Sequence, residues 1–483
     1  MMKHRNLRAP RHRFCLSDDA SQRTVEDSEL SSVKEGGSSF GSVLGSAIAC
    51  LGGAVGTGNI WRFPRILATQ SYSKGSLTFY IVWIILLFLW SVPVVLVEYA
   101  VGRFTKNSPL PAFQKFVGKR FIWLGAWLVG TLFLISVYYP VIVGWCLYYI
   151  YQSIVLKELP GDEPTSAQLF NSFAQESYWP VFCQVLTVLI TGVFLFGGIR
   201  LVEKANLVMV PLLLLILIFT FGWSMTRQYA EVGMAFLLTP AWGECTGWVP
   251  DRIPVLFSKV GIIGRVLSVL FFLSLYFAGI SSLLGDIHVC ILVIKEFGVS
   301  YRIAVGVSLL ACGLCGLPSA IWLQVLENQD DTWAYALIVS GFLLSLLVTV
   351  YGPLRFRHVV INEFGTDDWK VPILWVPIIT VLVPLEAGFL IGWWIYGAIA
   401  SDPNWYQINF TSVLTTLVEW LILLIFLVAV NMICVRIKGD LYVKTRELGA
   451  DPYDPSTYED LNRNEMDAIW LSTDEDNSLK AVS

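Results

Sequence analysis

Four glycines and two polar side chains interrupt the first long apolar run of the chain. Gly52, Gly53, Gly56 and Gly58 fall close together in the segment LGGAVGTGNIWRFP (51–64). Each Gly disfavours a helix by roughly 1 kcal/mol relative to Ala, so the segment predicts a helix that breaks part-way across the run. Broken helices occur in membranes where their freed carbonyls and amides line a cavity that offers ions or a polar ligand. A binding site at the break is therefore the first hypothesis.

The same glycines also fit a packing motif. Gly52 and Gly56 form a GxxxG pattern, which permits close contact between membrane helices. Asn59 and Arg62 on the same segment favour a binding site, because a charge near the bilayer centre costs roughly 2.5 to 3.5 kcal/mol and usually marks function.

The composition is that of an integral membrane protein. Of 483 residues, 55% are hydrophobic and 14% are charged, and the charges lie between long apolar runs. A helix needs about 20 apolar residues to cross a bilayer. We predict an all-α polytopic membrane protein with about ten spans, at 40–68, 76–101, 121–156, 179–199, 206–226, 264–294, 303–325, 332–354, 371–400 and 412–435. No Ser/His, paired Asp or His/Glu metal spacing lies on facing spans, so we expect no enzyme. We also expect no nucleic-acid partner.

The basic residues predict that both termini are cytoplasmic. The first 38 residues are polar and have no early apolar core, so they indicate no cleavable signal peptide. Lys and Arg concentrate before the first span and after every second span, as they do in cytoplasmic loops. We expect a cytoplasmic tail at 1–38, a transmembrane domain at 39–436 and an acidic cytoplasmic tail at 437–483. The expected location is the plasma membrane.

Two smaller signals lie in the second half of the chain. The sequon Asn409-Phe410-Thr411 falls in a loop that this topology places outside, which predicts glycosylation at Asn409. Cys312 and Cys315 form a CxxC pattern inside an apolar run. We expect them to pack in the core rather than bind metal or do redox chemistry.

Five motifs resemble the neurotransmitter:sodium symporter family, whose best-known bacterial member is the leucine transporter. They occur in the family's order and cover most of the chain. They are GGAVGTGNIWRFP (52–64), VEYAVGRF (97–104), VYYPVIVGW (137–145), GGIRLVEKANLVMVP (197–211) and LYFAGISSLLG (275–285). The resemblance implies a leucine-transporter-like helix bundle with a broken first helix.

The resemblance also implies that two helices are missing. The family has two inverted repeats of five helices followed by two further helices. Here FLLTP (236–240) resembles the loop before the family's sixth helix, and IPVLFSK (253–259) resembles the loop before its eighth. The resemblance thus implies that the sixth and seventh helices are skipped near 245–247, as a splice variant or an incomplete gene model would do. This leaves a first repeat at 39–227, an incomplete second repeat at 228–354 and two further helices at 371–436.

One sodium site is implied between the first and sixth spans. In the family, carbonyls of the first helix act together with a carbonyl and two hydroxyls of a later helix. The matching residues are Gly52, Val55, Ala278, Ser281 and Ser282. The alternative for the serines is a hydrogen bond to their own helix. A second sodium site retains Ala54 and Asn59, and we expect it to be weak or lost because its other ligands come from the solute and the missing helices.

The resemblance also implies a seat for a solute carboxylate. The amides of Thr57 and Gly58 lie at the positive end of a half-helix, which attracts anions. Tyr139 matches the family tyrosine whose hydroxyl holds the same carboxylate, although a buried tyrosine more often only packs. Gly56 stands where monoamine carriers have an aspartate, so the expected solute is an amino acid.

Gate residues are only partly present. Arg62 and Asp331 match the family's extracellular pair, which can form and break as a pathway closes and opens; the alternative is a static surface ion pair. Glu296 matches the acid of the cytoplasmic gate, but Gly37 and Phe40 replace its arginine and tryptophan.

Chloride use is left open. Val82 and Trp83 stand where a Pro-Tyr pair is common in the family, and that tyrosine helps to bind chloride in the animal members. The sequence therefore gives no support for chloride dependence.

The function predicted by the resemblance is sodium-coupled symport of a small amino acid by alternating access. Two other hypotheses remain. The chain could be a non-transporting truncated isoform that regulates a full-length carrier by association, or a channel or leak pathway. Expected partners are sodium ions, an amino-acid solute, the lipid bilayer and another copy or carrier in an oligomer.

Overall fold

The protein is a bundle of long apolar helices. A computed structural model describes residues 43–70, 75–228, 230–240, 262–364, 369–410 and 412–438. Within these ranges, nine helices are long and apolar enough to cross a membrane, and a shorter apolar helix precedes them. The chain is therefore an integral membrane protein.

The first predicted span is divided and the others are continuous. In chain order the helices are α1 (Val43–Ala54), then a π-helical turn (Gly58–Arg62) that leads into α2 (Phe63–Gln70), α3 (Leu77–Thr105), α4 (Pro109–Val117), α5 (Ile122–Val155), α6 (Glu163–Ala174), α7 (Trp179–Phe196) and α8 (Ile199–Met225). They continue with α9 (Ala230–Leu238), α10 (Ile262–Glu296), α11 (Tyr301–Ile321), α12 (Leu323–Tyr351), a π-helical segment (Phe356–Glu363), α13 (Trp375–Ser401) and α14 (Val413–Lys438).

Two helices begin well before the predicted spans. The structure starts α8 at Ile199 and α12 at Leu323, whereas the apolar runs begin at 206 and 332. The added turns contain charged residues, among them Arg200, Lys204 and Asp330. Hydropathy detects only the part of a helix that crosses hydrocarbon, so it misses turns that continue beyond that part.

The centre of the bundle is formed by α5 and α10, which have the most extensive contact of any two helices described. Val143 on α5 and Leu283 and Ile287 on α10 are almost completely buried in the same apolar cluster. The short helix α1 packs against α8 and α10. The broken segment is thus held against the buried centre of the molecule.

A loop helix, α6, lies between two of the spans. Asp162 caps its first turn, because the Asp162 carboxylate accepts a hydrogen bond of 2.9 Å from the Thr165 amide. The hydrogen bonds from Thr165 lower the pKa of Asp162.

A proline in α5 explains the role of one cysteine. Pro140 lies inside α5 and has no N–H, so the Ser136 carbonyl lacks its usual helical partner. The buried Cys312 thiol of α11 donates to this carbonyl. Cys312 and Cys315 are both free thiols, and Cys315 is exposed. Cys312 therefore packs in the core and also replaces a missing backbone hydrogen bond.

Cys312→Ala is expected to destabilise the protein by about 1–3 kcal/mol, because it leaves the buried Ser136 carbonyl without a donor. Cys312→Ser retains a donor and should cost less. The measurement is the thermal denaturation midpoint of the purified protein in detergent, with Cys315→Ala as an exposed control. Equal losses for Cys312→Ala and Cys312→Ser would show that the hydrogen bond contributes nothing.

Candidate ion and solute site

The break in the first span lies between Ala54 and Gly58. The last regular helical bond of α1 runs from the Val55 amide to the Leu51 carbonyl, at 2.8 Å. The Asn59 side chain donates to the Ala54 carbonyl across the break, at 3.1 Å. The two residues assigned to the second sodium site are thus adjacent, and both are exposed.

Two serines of α10 lie directly against α1. The Ser282 hydroxyl lies 3.4 Å from the Gly52 carbonyl oxygen and 3.3 Å from the Gly53 carbonyl oxygen. Ser281 is 1% exposed and Ser282 is 8% exposed, and Ala278 on the same helix is fully buried. The structure therefore brings carbonyl and hydroxyl oxygens from two helices together in a buried position.

Gly52 is required for this close approach. A Cβ atom added at Gly52 would lie 2.1 Å from the Ser281 oxygen and 2.8 Å from a Val210 methyl carbon. At Gly53, nothing among the described residues lies within 4 Å of the added atom. A methyl group would therefore overlap its neighbours at Gly52 but not at Gly53.

Asn206 of α8 is part of this cluster and was missed by the sequence analysis. The Ser281 hydroxyl donates to Asn206 Oδ1 at 3.0 Å, and both side chains are buried. This hydrogen bond joins α10 to α8, so the Ser281 hydroxyl donates to a neighbouring helix and not to a carbonyl of α10. The sequence shows that Asn206 is a polar residue inside an apolar run, but it does not show that Ser281 is its hydrogen-bond partner.

The residues assigned to the solute carboxylate also lie together. The Thr57 amide donates to the Tyr139 hydroxyl oxygen at 3.1 Å, and the Thr57 and Tyr139 hydroxyls are 2.9 Å apart. A Cβ atom added at Gly56 would lie 3.1 Å from both the Tyr139 and the Ser282 hydroxyl oxygens. Gly58 is exposed. The break is therefore joined to α5 through Tyr139 and to α10 through Ser282.

Arg62 forms an ion pair, and the partner that the structure records is Asp330. The Arg62 guanidinium donates to the Asp330 carboxylate, and both side chains are partly exposed. Asp331, the residue chosen from the sequence, also contributes to the charge around Arg62. Tyr138 of α5 is close to the Asp330 carboxylate. The cluster around Arg62 thus contains two neighbouring acids.

Glu296, at the end of α10, binds the segment before α4. Its carboxylate accepts hydrogen bonds from the Ser108 amide, at 2.9 Å, and from the Ser108 hydroxyl. Gly37 and Phe40 lie outside the described residues, and so does the predicted join at 245–247. Asn409 is exposed in the loop between α13 and α14, and Thr411 of its sequon is likewise outside the described residues.

Known proteins resemble parts of this chain. Residues 39–177 match the model described as the sodium:neurotransmitter symporter family. An uncharacterized sodium-dependent transporter of Methanocaldococcus jannaschii is 34% identical over 213 residues, which are 42% of each chain. The human sodium- and chloride-dependent taurine transporter is 35% identical over 121 residues, which are 25% of this chain and 18% of that protein. The matches therefore span less than half of the length of these relatives.

The fold resembles that of MhsT, whose crystal structure was determined in complex with L-phenylalanine. The TM-score is 0.61 at 21% identity, and the match covers 74% of this chain and 99% of MhsT. This likeness confirms the predicted fold class, a helical membrane bundle with a broken first helix. Residues 39–177 therefore match the sodium:neurotransmitter symporter family, and the chain shares the fold of MhsT.

Proposed function

We propose that the chain is a sodium-coupled symporter of a small amino acid or a related carboxylate-bearing solute. The observation that carries the proposal is the contact between the Ser282 hydroxyl and the carbonyls of Gly52 and Gly53 at the break in the first span. Neutral oxygens from two separate helices converge there. An ion held between them would link the movement of one helix to that of the other.

The oxygens present suit Na⁺. Hard cations bind carbonyl and hydroxyl oxygens, and neutral ligands avoid the cost of a buried unpaired charge. The proposed ligands are the carbonyls of Gly52, Val55 and Ala278 and the hydroxyls of Ser281 and Ser282. Ala54 and Asn59 supply a weaker second position, because few other ligands remain for it.

The solute carboxylate is proposed to bind at the Thr57 and Gly58 amides and the Tyr139 hydroxyl. Thr57 and Tyr139 satisfy each other in the absence of solute. A carboxylate is a stronger acceptor than a hydroxyl, so it would replace this bond and accept from both groups. Gly56 leaves room for the solute because a side chain there would crowd Tyr139 and Ser282.

Transport would follow from movement of the segment around the break. Arg62 with Asp330 and Asp331 is proposed to close one end of the pathway, and Glu296 lies at the opposite end of the bundle. We place both termini in the cytoplasm on the distribution of Lys and Arg, and we propose the plasma membrane as the location.

A second candidate function is regulation of a full-length carrier by association. Gly53, Ala54, Gly58 and Asn59 are exposed within the described part of the chain. Irregular backbone at membrane depth is tolerated where protein or a water-filled cavity covers it. A partner helix could supply that cover.

Uptake by the purified full chain in proteoliposomes separates these functions. We expect radiolabelled amino acids, beginning with L-phenylalanine, to accumulate under an inward sodium gradient and not when choline replaces sodium. A regulator would show no uptake alone and would lower uptake by a co-reconstituted carrier. Sodium currents without solute would indicate a leak. The absence of both sodium binding and sodium-dependent uptake would refute symport.

A further inference from the structure

The buried hydrogen bond between Ser281 and Asn206 sets the direction of one hydroxyl proton. The Ser281 oxygen lies 3.0 Å from Asn206 Oδ1, and a Cβ atom added at Gly52 would lie 2.1 Å from the same oxygen. Ser281 is 1% exposed and Asn206 is 3% exposed, so water does not compete for this bond. The proton of Ser281 is therefore directed to Asn206 of α8.

A hydroxyl can bind a cation only through a lone pair. Serine has one O–H donor and two lone pairs. If the proton pointed toward the ion, it would repel the positive charge and occupy the space that the ion needs. A serine in a helix can direct its proton to a carbonyl three or four residues earlier on the same helix. Asn206 provides a different acceptor, on a third helix.

Ser282 shows the contrast on the same helix. Its hydroxyl faces the Gly52 and Gly53 carbonyls at 3.4 and 3.3 Å, and the Gly52 carbonyl is one of the oxygens proposed to bind the ion. Its proton must turn away before the Ser282 oxygen can act as a ligand. Ser281 needs no such change, because its proton is already bound elsewhere.

We propose that Asn206 is a positioning residue for the sodium site: it accepts the Ser281 proton and keeps a lone pair of the Ser281 oxygen directed at the ion. This inference rests on the proposed sodium binding. If Asn206 positions Ser281, then α8 belongs to the sodium site together with α1 and α10, which supply the ligands. Asn206 itself does not touch the ion.

The test is a double-mutant cycle on sodium affinity, measured with radiolabelled sodium on the purified full chain. Asn206→Leu should raise the Kd about five- to tenfold, as expected for the loss of one hydrogen bond. In the Ser281→Ala background, Asn206→Leu should leave the Kd unchanged, because no hydroxyl remains to be positioned. Asn206→Asp retains an acceptor oxygen and should keep a Kd at or below that of the wild type.

A matched control is Asn431→Leu. Asn431 is also buried, but it donates to the Arg120 carbonyl, at 2.9 Å, and lies on α14. Its replacement should leave sodium affinity unchanged. The size-exclusion profile of each variant shows whether it is folded.

Two results would overturn the inference and leave sodium binding intact. The first is an equal effect of Asn206→Leu in both backgrounds, which would mean that Asn206 acts only on the packing of α8. The second is an unchanged Kd for Asn206→Leu while Ser281→Ala weakens binding. If Ser281→Ala and Ser282→Ala both leave sodium affinity unchanged, the proposed sodium site itself fails.

Discussion

Gly52→Ala is expected to weaken sodium binding by about 100-fold, or about 2.7 kcal/mol. The new methyl group would lie 2.1 Å from the Ser281 oxygen and 2.8 Å from a Val210 methyl carbon, closer than real Cβ atoms approach their neighbours. Ser281 is completely surrounded, so α1 must move away from α10 to relieve the overlap. Such overpacking costs typically 1–3 kcal/mol. The measurement is the Kd for radiolabelled sodium on the purified chain.

Gly53→Ala is the matched control for this prediction. It makes the same chemical change one residue along the same helix, with the same gain in helix propensity of roughly 1 kcal/mol. A methyl group there meets no atom of the described residues within 4 Å. Its sodium affinity should stay near that of the wild type. Equal losses for both variants, or no loss for either, would place the sodium site elsewhere.

The break in the first span could be predicted from the sequence because its cause is local. Four glycines in one apolar run disfavour a continuous helix, whatever lies around them. The contact of the break with Ser281 and Ser282 could not be derived in the same way. These residues are separated by about 230 positions, and only the resemblance to a family connected them.

Asn206 and Asp330 were missed for a related physical reason. In a soluble helix, the pattern of apolar residues shows which face is buried. In a membrane, apolar residues face both lipid and protein, so the pattern does not show which neighbour a polar residue meets. The bond from Ser281 to Asn206 depends on the register of α8 against α10, and that register is a tertiary property.

The two neighbouring acids Asp330 and Asp331 also show what the sequence pattern cannot predict, namely how each carboxylate is placed relative to Arg62. Successive residues on a helix point about 100° apart, so one position decides which carboxylate faces Arg62 directly. The structure records Asp330 in that place, with Asp331 still near enough to contribute. A sequence match identifies the acidic turn, and the structure adds Asp330 to Asp331 in the charge around Arg62.

Tyr139→Phe is expected to lower solute affinity by about 100-fold, because hydrogen bonds to a charged group contribute about 1.5–3 kcal/mol each. The substitution removes the hydroxyl that contacts both the amide and the hydroxyl of Thr57. It also removes the donor that the solute carboxylate would use. The measurement is the concentration of amino acid that gives half-maximal uptake or binding, for the solute that the wild type binds best.

Sodium affinity separates this effect from a general loss of structure. Tyr139 supplies no ligand to the site formed with Ser281 and Ser282, so Tyr139→Phe should leave the Kd for sodium within about threefold of the wild type. Gly52→Ala should instead lose sodium and, through coupling, solute. The matched control is Tyr276→Phe, since the Tyr276 hydroxyl is buried in the same bundle and lies near Thr187 of α7. That variant should retain both affinities, and a solute defect in Tyr276→Phe as large as in Tyr139→Phe would remove the reason to place the carboxylate at Tyr139.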